Sequence, residues 1–313
     1  MEKMLIIDTR KRCLKLLAAL LLGTACYLPA RAQQDPIYSQ YAMNGMLINP
    51  AYPSIDQAAS MTLIGRNQWV GVDGAPKTAS FTFYTPFKET NTSVGFSAMN
   101  EKITVQSRTA LNFHISQRVD LNETLRLALG LKVGMSQFRE NNTALTTTDP
   151  IFAQNESYFK SEVGFGFALF AENFYVGLSS PTFQSFDVGN KVNKIVYNTH
   201  YYLTAGYLFD AGENTKVKPN LVVRKVKGSP LGIDFNTSVL IKELVWLGAS
   251  WRSEKSIGGL VQVQVSKNFM VGYSYDTPMS SNLKGAQSVS HEVMINYRFQ
   301  WSNTERELEP RYF

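Results

Sequence analysis

The sequence predicts an all-β fold, a transmembrane outer-membrane β-barrel of about fourteen antiparallel strands. Three observations predict it. The first 32 residues resemble an export signal, apolar and polar residues alternate with a period of two from about residue 58 to the end, and aromatic residues gather where the alternating segments stop.

The N-terminal segment, residues 1–32, has the three parts of a secretory signal peptide. A basic region ends near Lys15, an apolar run covers residues 16–28, and the small-x-small triplet Ala30-Arg31-Ala32 follows. We expect cleavage after Ala32. The apolar run is shorter than the roughly 20 residues of a spanning helix, which disfavours a retained anchor. Cys26, preceded by small residues, leaves a lipoprotein signal as a minor alternative.

Charge and cysteine content exclude several classes of function. Of the 31 basic and 25 acidic residues, six basic and two acidic ones lie in residues 1–32, so the remainder has a net charge of only +2. That balance offers no electrostatic footprint for nucleic acid. Both cysteines, Cys13 and Cys26, lie in the signal, so the mature chain has no disulfide and no thiolate site.

The alternation is clearest in residues 125–135. The odd positions are all apolar, whereas the even positions are small, polar or charged. We expect Leu129 and its odd-numbered neighbours to face lipid, and Gly130 and the other even positions to face the lumen. A serine at Gly130 should then cost little. The same pattern recurs in residues 162–169, 261–266 and 292–299.

A soluble sandwich or lipocalin-type barrel would also alternate, but three properties favour the membrane. The segments exceed the five or six residues usual in soluble strands, and their second face is polar rather than a second apolar layer. Aromatic residues near the segment ends suit the two interfacial girdles of a membrane barrel. These are Trp69, Tyr84, Phe87, Tyr207, Phe209, Trp251, Tyr275 and Trp301.

We expect fourteen strands, and their connections indicate the orientation. The short turns follow even-numbered strands, whereas the long loops 139–158, 181–195 and 278–286 follow odd-numbered ones. Long loops face outward in such barrels, so both termini should lie in the periplasm. The strands are expected over 58–69, 77–87, 92–105, 106–119, 124–138, 159–171, 173–180, 196–209, 214–226, 231–241, 244–253, 257–267, 268–277 and 287–301.

Two segments lie outside the sheet, so the expected organisation is a signal at 1–32, a non-strand segment at 33–57, the barrel at 58–301 and a tail at 302–313. Residues 33–57 contain three prolines and no alternation. This segment is either a plug inside the lumen or a periplasmic arm, and its apolar residues favour the plug. The charged residues 302–313 are expected to form a solvated periplasmic tail.

Two groups of motifs carry a family resemblance. The first occupies residues 35–41 and 48–52, and the second occupies 66–71 and 74–78. Their order and spacing resemble the PorP/SprF family of the type IX secretion system in Bacteroidota. The signature positions are Tyr38, Gln40, Tyr41, Asn49, Pro50, Ala51, Arg66, Asn67, Gln68, Trp69, Gly74 and Pro76.

The resemblance implies an architecture similar to fourteen-stranded fatty-acid-transporter-type barrels of the outer membrane. It also implies a role in the export or surface attachment of cargo proteins with a C-terminal sorting domain, including gliding adhesins in some lineages. The implied partners are the periplasmic ring and peptidoglycan-associated lipoproteins of the secretion system. The alternative on the same barrel plan is an outer-membrane channel for hydrophobic or small solutes.

The signature positions also have structural interpretations. Gly74 and Pro76 suit a turn between the first two strands, and Trp69 suits an interfacial girdle. Arg66 is expected to pair with an acidic lumen residue, either Glu162 or Glu292, rather than with a ligand, because charges inside barrels usually pair.

Candidate catalytic chemistry is sparse. His114, His200 and His291 fall on separate predicted strands without the spacing of a metal site. Gly164 and Gly166 lie within a strand and lack the strand-turn-helix context of a phosphate loop. We therefore expect no enzyme, no cofactor and no metal.

Overall fold

The computed structural model describes residues 38–56, 58–87, 89–145, 153–189, 194–253, 256–279 and 288–300. The predicted signal peptide, Trp301 and the C-terminal tail lie outside these residues, as do residues 146–152 of the predicted loop 139–158. No helix in the described ranges is both long and apolar enough to cross a membrane.

Antiparallel strands account for most of the described chain, after three short 3-10 helices at Tyr41–Met43, Gly45–Leu47 and Tyr52–Ser54. A fourth 3-10 helix covers Asn142–Ala144. The strands are β1 (Ala59–Asn67), β2 (Lys77–Phe87), β3 (Thr92–Ile103), β4 (Gln106–Asp120), β5 (Arg126–Glu140), β6 (Glu156–Phe170), β7 (Phe174–Ser180), β8 (Phe186–Gly189), β9 (Lys194–Tyr197), β10 (His200–Tyr207), β11 (Phe209–Gly212), β12 (Thr215–Val226), β13 (Gly232–Ile241), β14 (Val245–Arg252), β15 (Ser256–Gln264), β16 (Phe269–Pro278) and β17 (Ser290–Phe299).

Fourteen of these strands close into a ring. Each strand pairs with its neighbours in sequence, β1 pairs with β17, and β10 pairs with both β7 and β12. The short β11 continues alongside β12, and β8 pairs with β9 in a separate hairpin. Closure leaves the ring without a free first or last strand, which is what a sheet requires to cross a bilayer.

The fourteen predicted segments correspond to the fourteen strands of the ring, with different ends. β6 begins at Glu156 rather than 159, and β15 ends at Gln264 rather than 267. The hairpin β8–β9 lies within the predicted loop 181–195 and just beyond it, and it was not predicted because strands of four residues are too short for two-residue alternation to be recognised.

The two faces of the ring have opposite character. On β5, Leu131 is 58% exposed, whereas Ala128 is fully buried. Outward positions of the other strands are similarly apolar, and inward positions are mostly polar, charged or small. An apolar outer face and a polar interior are what a membrane barrel requires, and they exclude a soluble barrel with an apolar core.

The barrel has two ends that differ in their connections. The end with connections 68–76, 141–155 and 279–289 is here named the loop end, and the end with connections 88–91, 121–125 and 265–268 is named the turn end. The described chain begins at the loop end and ends at the turn end, where Gln300 follows β17.

Residues 38–56, here named the lumen segment, lie inside the ring. Ser39 hydrogen-bonds Glu292 near the loop end, whereas Ser54 contacts Ser116 and Asp56 pairs with Arg298 near the turn end. The predicted periplasmic position of both termini falls on residues outside the described ranges. The described chain itself begins near the loop end, where buried carboxylates bind the backbone at the start of the segment.

Candidate functional site

A cluster of buried charges holds the start of the lumen segment. Arg66 of β1 pairs with Glu292 of β17 through Nη1 and Oε2 at 2.9 Å, and with Asp276 of β16 through Nη2 and Oδ2 at 3.0 Å. Arg252 of β14 lies 3.5 Å from Asp234 and 3.8 Å from Asp276. All five side chains are less than a tenth exposed. Mutual pairing is what makes such burial tolerable.

The lumen segment supplies the remaining hydrogen bonds of this cluster. The backbone amides of Ser39 and Gln40 each donate to one oxygen of Glu292, both at 2.9 Å. The Ser39 hydroxyl donates to Asp276 at 2.5 Å and accepts from Arg66 at 2.8 Å and from Arg252 at 3.1 Å. Since three carboxylates face two guanidiniums here, the backbone and hydroxyl donors offset the excess negative charge.

Of the two partners expected for Arg66 from the sequence, the structure shows Glu292. The other, Glu162, accepts from Arg108 at 2.5 Å and from Lys132 at 2.9 Å, and it also hydrogen-bonds Ser136. These groups form a second buried cluster, on β4, β5 and β6. A cavity of about 80 Å³ lies between that cluster and the lumen segment, which is room for a few water molecules.

The middle of the segment is fitted to glycines of the barrel wall. Asn49 donates from Nδ2 to the Phe167 carbonyl at 3.0 Å and accepts from the Ala51 amide at 2.9 Å. A Cβ at Gly166 would lie 1.9 Å from Asn49 Oδ1, and one at Gly130 would lie 2.2 Å from the Pro50 carbonyl carbon. The expectation that Gly130 tolerates a serine is therefore wrong, because backbone of the lumen segment occupies the space the side chain needs.

Gln40, Tyr38 and Tyr41 are all buried. Gln40 accepts from Gln262 at 3.1 Å, and the Tyr38 carbonyl accepts from Arg252 at 3.3 Å. Tyr41 packs in an apolar cluster with side chains of β10 and β12. The signature positions of the lumen segment thus contact the barrel itself.

The second signature group forms an ordered loop between β1 and β2. Gln68 donates its amide to the Pro76 carbonyl at 2.9 Å, and the Gly74 carbonyl accepts from the Thr104 amide at 2.9 Å. Trp69 has a φ of 49° and donates its amide to Ser290. These bonds tie the loop to β17 and to the β3–β4 turn.

This loop is exposed as well as ordered. Val70 is 45% exposed and Val72 is 37% exposed, although the Val70 amide is held by the Val289 carbonyl at 2.9 Å. Gly71 and Gly74 have φ values of +93° and +73°, which favour glycine. Asn67, at the end of β1, is exposed, whereas Pro76 is buried. The loop therefore presents apolar side chains in a fixed conformation.

The structure thus separates the signature positions between the lumen, where they form two groups, and the loop end. Tyr38, Gln40 and Arg66 meet in or beside the charge cluster, Asn49–Ala51 pack on the glycines, and residues 67–76 stand apart at the loop end. Sequence reasoning did not assign several residues to these sites. Those on strands have the inward parity that could have indicated them, whereas Ser39 lies in a segment without periodicity. The strand residues are Asp234, Arg252, Asp276, Gly130 and Gly166.

The histidines are dispersed, as their sequence positions predict. His114 contacts Ser97 in the lumen, His200 is buried beside Tyr202, and His291 faces outward beside Tyr273. Within the described ranges, no group of three or more His, Cys, Asp or Glu side chains could hold a metal ion.

A closed antiparallel ring with an apolar outer face and a polar interior defines the class of protein, an outer-membrane β-barrel. Here residues 38–56 of the same chain occupy the lumen. Residues 30–297 match the family described as type IX secretion system membrane protein PorP/SprF. The chain belongs to this family.

One solved structure supports the fold, and the fold alone, because its sequence is distant. The CymD monoaromatic hydrocarbon channel is 11% identical with a TM-score of 0.50, covering 82% of this chain and 93% of that one. The Acinetobacter baumannii outer membrane protein Omp33 is 11% identical with a TM-score of 0.46, covering 78% and 100%. The KdgM porin is 12% identical with a TM-score of 0.39, covering 77% and 99%. No curated protein matches the sequence.

Proposed function

We propose that this chain is the outer-membrane component of a type IX secretion system that supports export or surface attachment of cargo with a C-terminal sorting domain. Gliding adhesins are one such class of cargo. The proposed partners are that cargo and, on the periplasmic side, the ring and peptidoglycan-associated lipoproteins of the system. Membership in the PorP/SprF family supports the system, and the cargo and partners are our proposal.

The occupied lumen favours this function over a solute channel. The lumen segment fills the space between opposite strands and is bonded to the wall near both ends. The cavity between it and the Glu162 cluster measures about 80 Å³, which is room for a few water molecules. Wild-type protein in a planar bilayer should therefore conduct little, whereas the channel alternative requires steady conductance.

The observation that carries the proposal further is the exposed β1–β2 loop. Signature residues inside the lumen are buried and contact the barrel, so they are poorly placed to touch a partner. Val70 belongs to the second signature group and Val72 lies between its two parts. Both are exposed, and the backbone around them is held by hydrogen bonds. We propose that this loop contacts the cargo protein, because rigid apolar side chains lose little entropy on binding.

The test replaces Val70→Ser and Val72→Ser together and measures surface attachment and co-purification of the cognate cargo. We expect both to fall about tenfold or more, since each truncation removes of the order of 1 kcal/mol of apolar contact. The matched control is Leu231→Ser with Met279→Ser, two exposed residues at the same end, which should leave attachment unchanged. Normal attachment with the valine pair replaced would contradict a role for this loop.

A further inference from the structure

The outer face of the barrel carries an unusual row of positive charges at the loop end. Cross-strand pairing places Asn67, Lys77, Lys102, Ser107 and Arg139 in one register row across the adjacent strands β1 to β5. Lys77, Lys102 and Arg139 are exposed and are here named the cation row. They face away from the lumen, because the alternating inward positions are Thr78, Glu101 and Glu140.

Two of these charges lie directly opposite each other. Lys77 and Lys102 are Cα partners in the β2–β3 register, an arrangement that destabilises a sheet when the charges are uncompensated. Among the described residues, neither lysine has an ion-pair partner, and Arg139 has none either. The neighbouring residues of this register row are neutral or histidine, namely Tyr275, His291, Asn67, Ser107 and Ser157.

The row lies near the edge of the apolar face. On strands β2 to β5 the next outward residues are Ala79, Asn100, Thr109 and Gln137, and apolar residues begin one step further on, with Phe81, Leu111 and Met135. Four residues along a strand correspond to about 13 Å, or a height of about 10 Å at the usual strand tilt. Long basic side chains can reach back toward the bilayer, into the headgroup layer, which is about 5–7 Å thick on each side.

The opposite end of the same strands lacks such charges on its outer face. The outward residues nearest the turn end on β2, β3, β4 and β5 are Phe87, Thr92, Val119 and Leu127. Positive charges on the outer face are therefore confined to one end of these strands. This fits an interaction with the headgroups of one leaflet, because a general requirement of the fold would apply to both ends.

We infer that the cation row binds the phosphate groups of an outer-leaflet glycolipid. The inference uses the barrel placement in which the long loops face outward. The lipid supplies the counter-charge that the protein itself does not provide, and phosphate oxygens accept hydrogen bonds from both lysine and arginine. The three residues of the cation row span four adjacent strands, β2 to β5, which lie about 4.8 Å apart, and they form a patch wide enough for one lipid headgroup.

The experiment compares binding of phosphorylated lipopolysaccharide and of the same lipopolysaccharide after enzymatic dephosphorylation to purified, detergent-solubilised full-length protein. The variant is Lys77→Gln, Lys102→Gln and Arg139→Gln together. At about fivefold per charge near a charged headgroup layer, we expect the wild type to bind the phosphorylated lipid about a hundredfold more tightly than the variant. High salt should reduce that difference.

A matched control removes the same number of charges at the turn end, with Lys216→Gln, Lys242→Gln and Lys267→Gln, and should bind like the wild type. Heat-modifiability on a gel verifies that each variant is folded. Equal binding by wild type and cation-row variant, equal binding of the dephosphorylated lipid, or an equal loss in the turn-end variant would each overturn the inference.

Discussion

At the scale of single residues, Glu292 is the centre of the lumen site because each of its oxygens accepts a backbone amide. It is fully buried and pairs with Arg66 at 2.9 Å. Removing its charge would leave a buried guanidinium with one carboxylate fewer and weaken the two backbone hydrogen bonds. This residue therefore connects the stability of the barrel with the position of the lumen segment.

We predict that Glu292→Gln lowers the free energy of unfolding by about 3–5 kcal/mol, the usual cost of breaking a buried pair. Adding Arg66→Gln should cost less than the sum of the two single changes, because the pair acts as a unit. Urea denaturation in detergent measures both. Lys216→Gln, in a pair with the exposed Asp210, is the control and should change stability by less than about 1 kcal/mol. Full additivity of the two changes would argue against their coupling.

A second prediction concerns the fit of the segment to the wall. Gly130→Ser should destabilise the protein by about 1–3 kcal/mol or displace the lumen segment, because its Cβ would meet the Pro50 backbone. Gly65→Ala is the control, since a Cβ there meets nothing within 4 Å. Thermal unfolding and protease sensitivity of residues 38–56 report the two outcomes. Equal behaviour of the two variants would mean that the segment does not press on β5.

At the scale of elements, strand β5 shows how depth in the bilayer sets the cost of a charge. We predict that Leu131→Arg, on the outer face near the strand centre, costs about 2–4 kcal/mol. Gln137→Arg, on the same face nearer the loop end, should cost at most about 1 kcal/mol. Refolding into lipid vesicles at graded urea concentrations compares them. A larger loss of stability for Gln137→Arg than for Leu131→Arg would show that the centre of the bilayer lies nearer to residue 137 than we infer.

The strands themselves could be predicted from sequence because their alternation is local. In residues 125–135, the alternation alone identifies the apolar and the polar face, and no information about another strand is needed. The lumen site could not be predicted in the same way. The contacts of Arg66 and of Ser39 with Asp276 and Glu292 join residues more than 200 positions apart. Parity identified which residues point inward, but ring closure decides which of them meet.

The glycines of the barrel wall also show that a local sequence pattern does not predict contacts between distant segments. Gly130 and Gly166 look like ordinary small lumen residues in the strand pattern, and the pattern alone predicted tolerance at Gly130. Their need to be glycine arises from Asn49 and Pro50, which belong to a segment with no periodicity. Irregular segments carry little sequence information about where they pack, so their effect on the strands is visible only in three dimensions.

At the scale of the whole molecule, the orientation of the barrel follows from the lengths of its connections. We predict that an epitope tag inserted near Thr147, within the long connection between β5 and β6, is accessible to antibody on intact cells. A tag in the β4–β5 turn, at Asn122, should react only after the outer membrane is permeabilised. The reverse pattern would invert the topology and place the cation row in the inner leaflet.

The path of the lumen segment also constrains the order of biogenesis. The segment comes before β1 in sequence, yet its first contacts are with β14, β16 and β17, the last part of the barrel to be synthesised. Arg66 and Glu292 pair across the seam between β1 and β17, and both also bind Ser39 of the segment. We therefore expect docking of the segment and closure of the seam to stabilise each other during assembly.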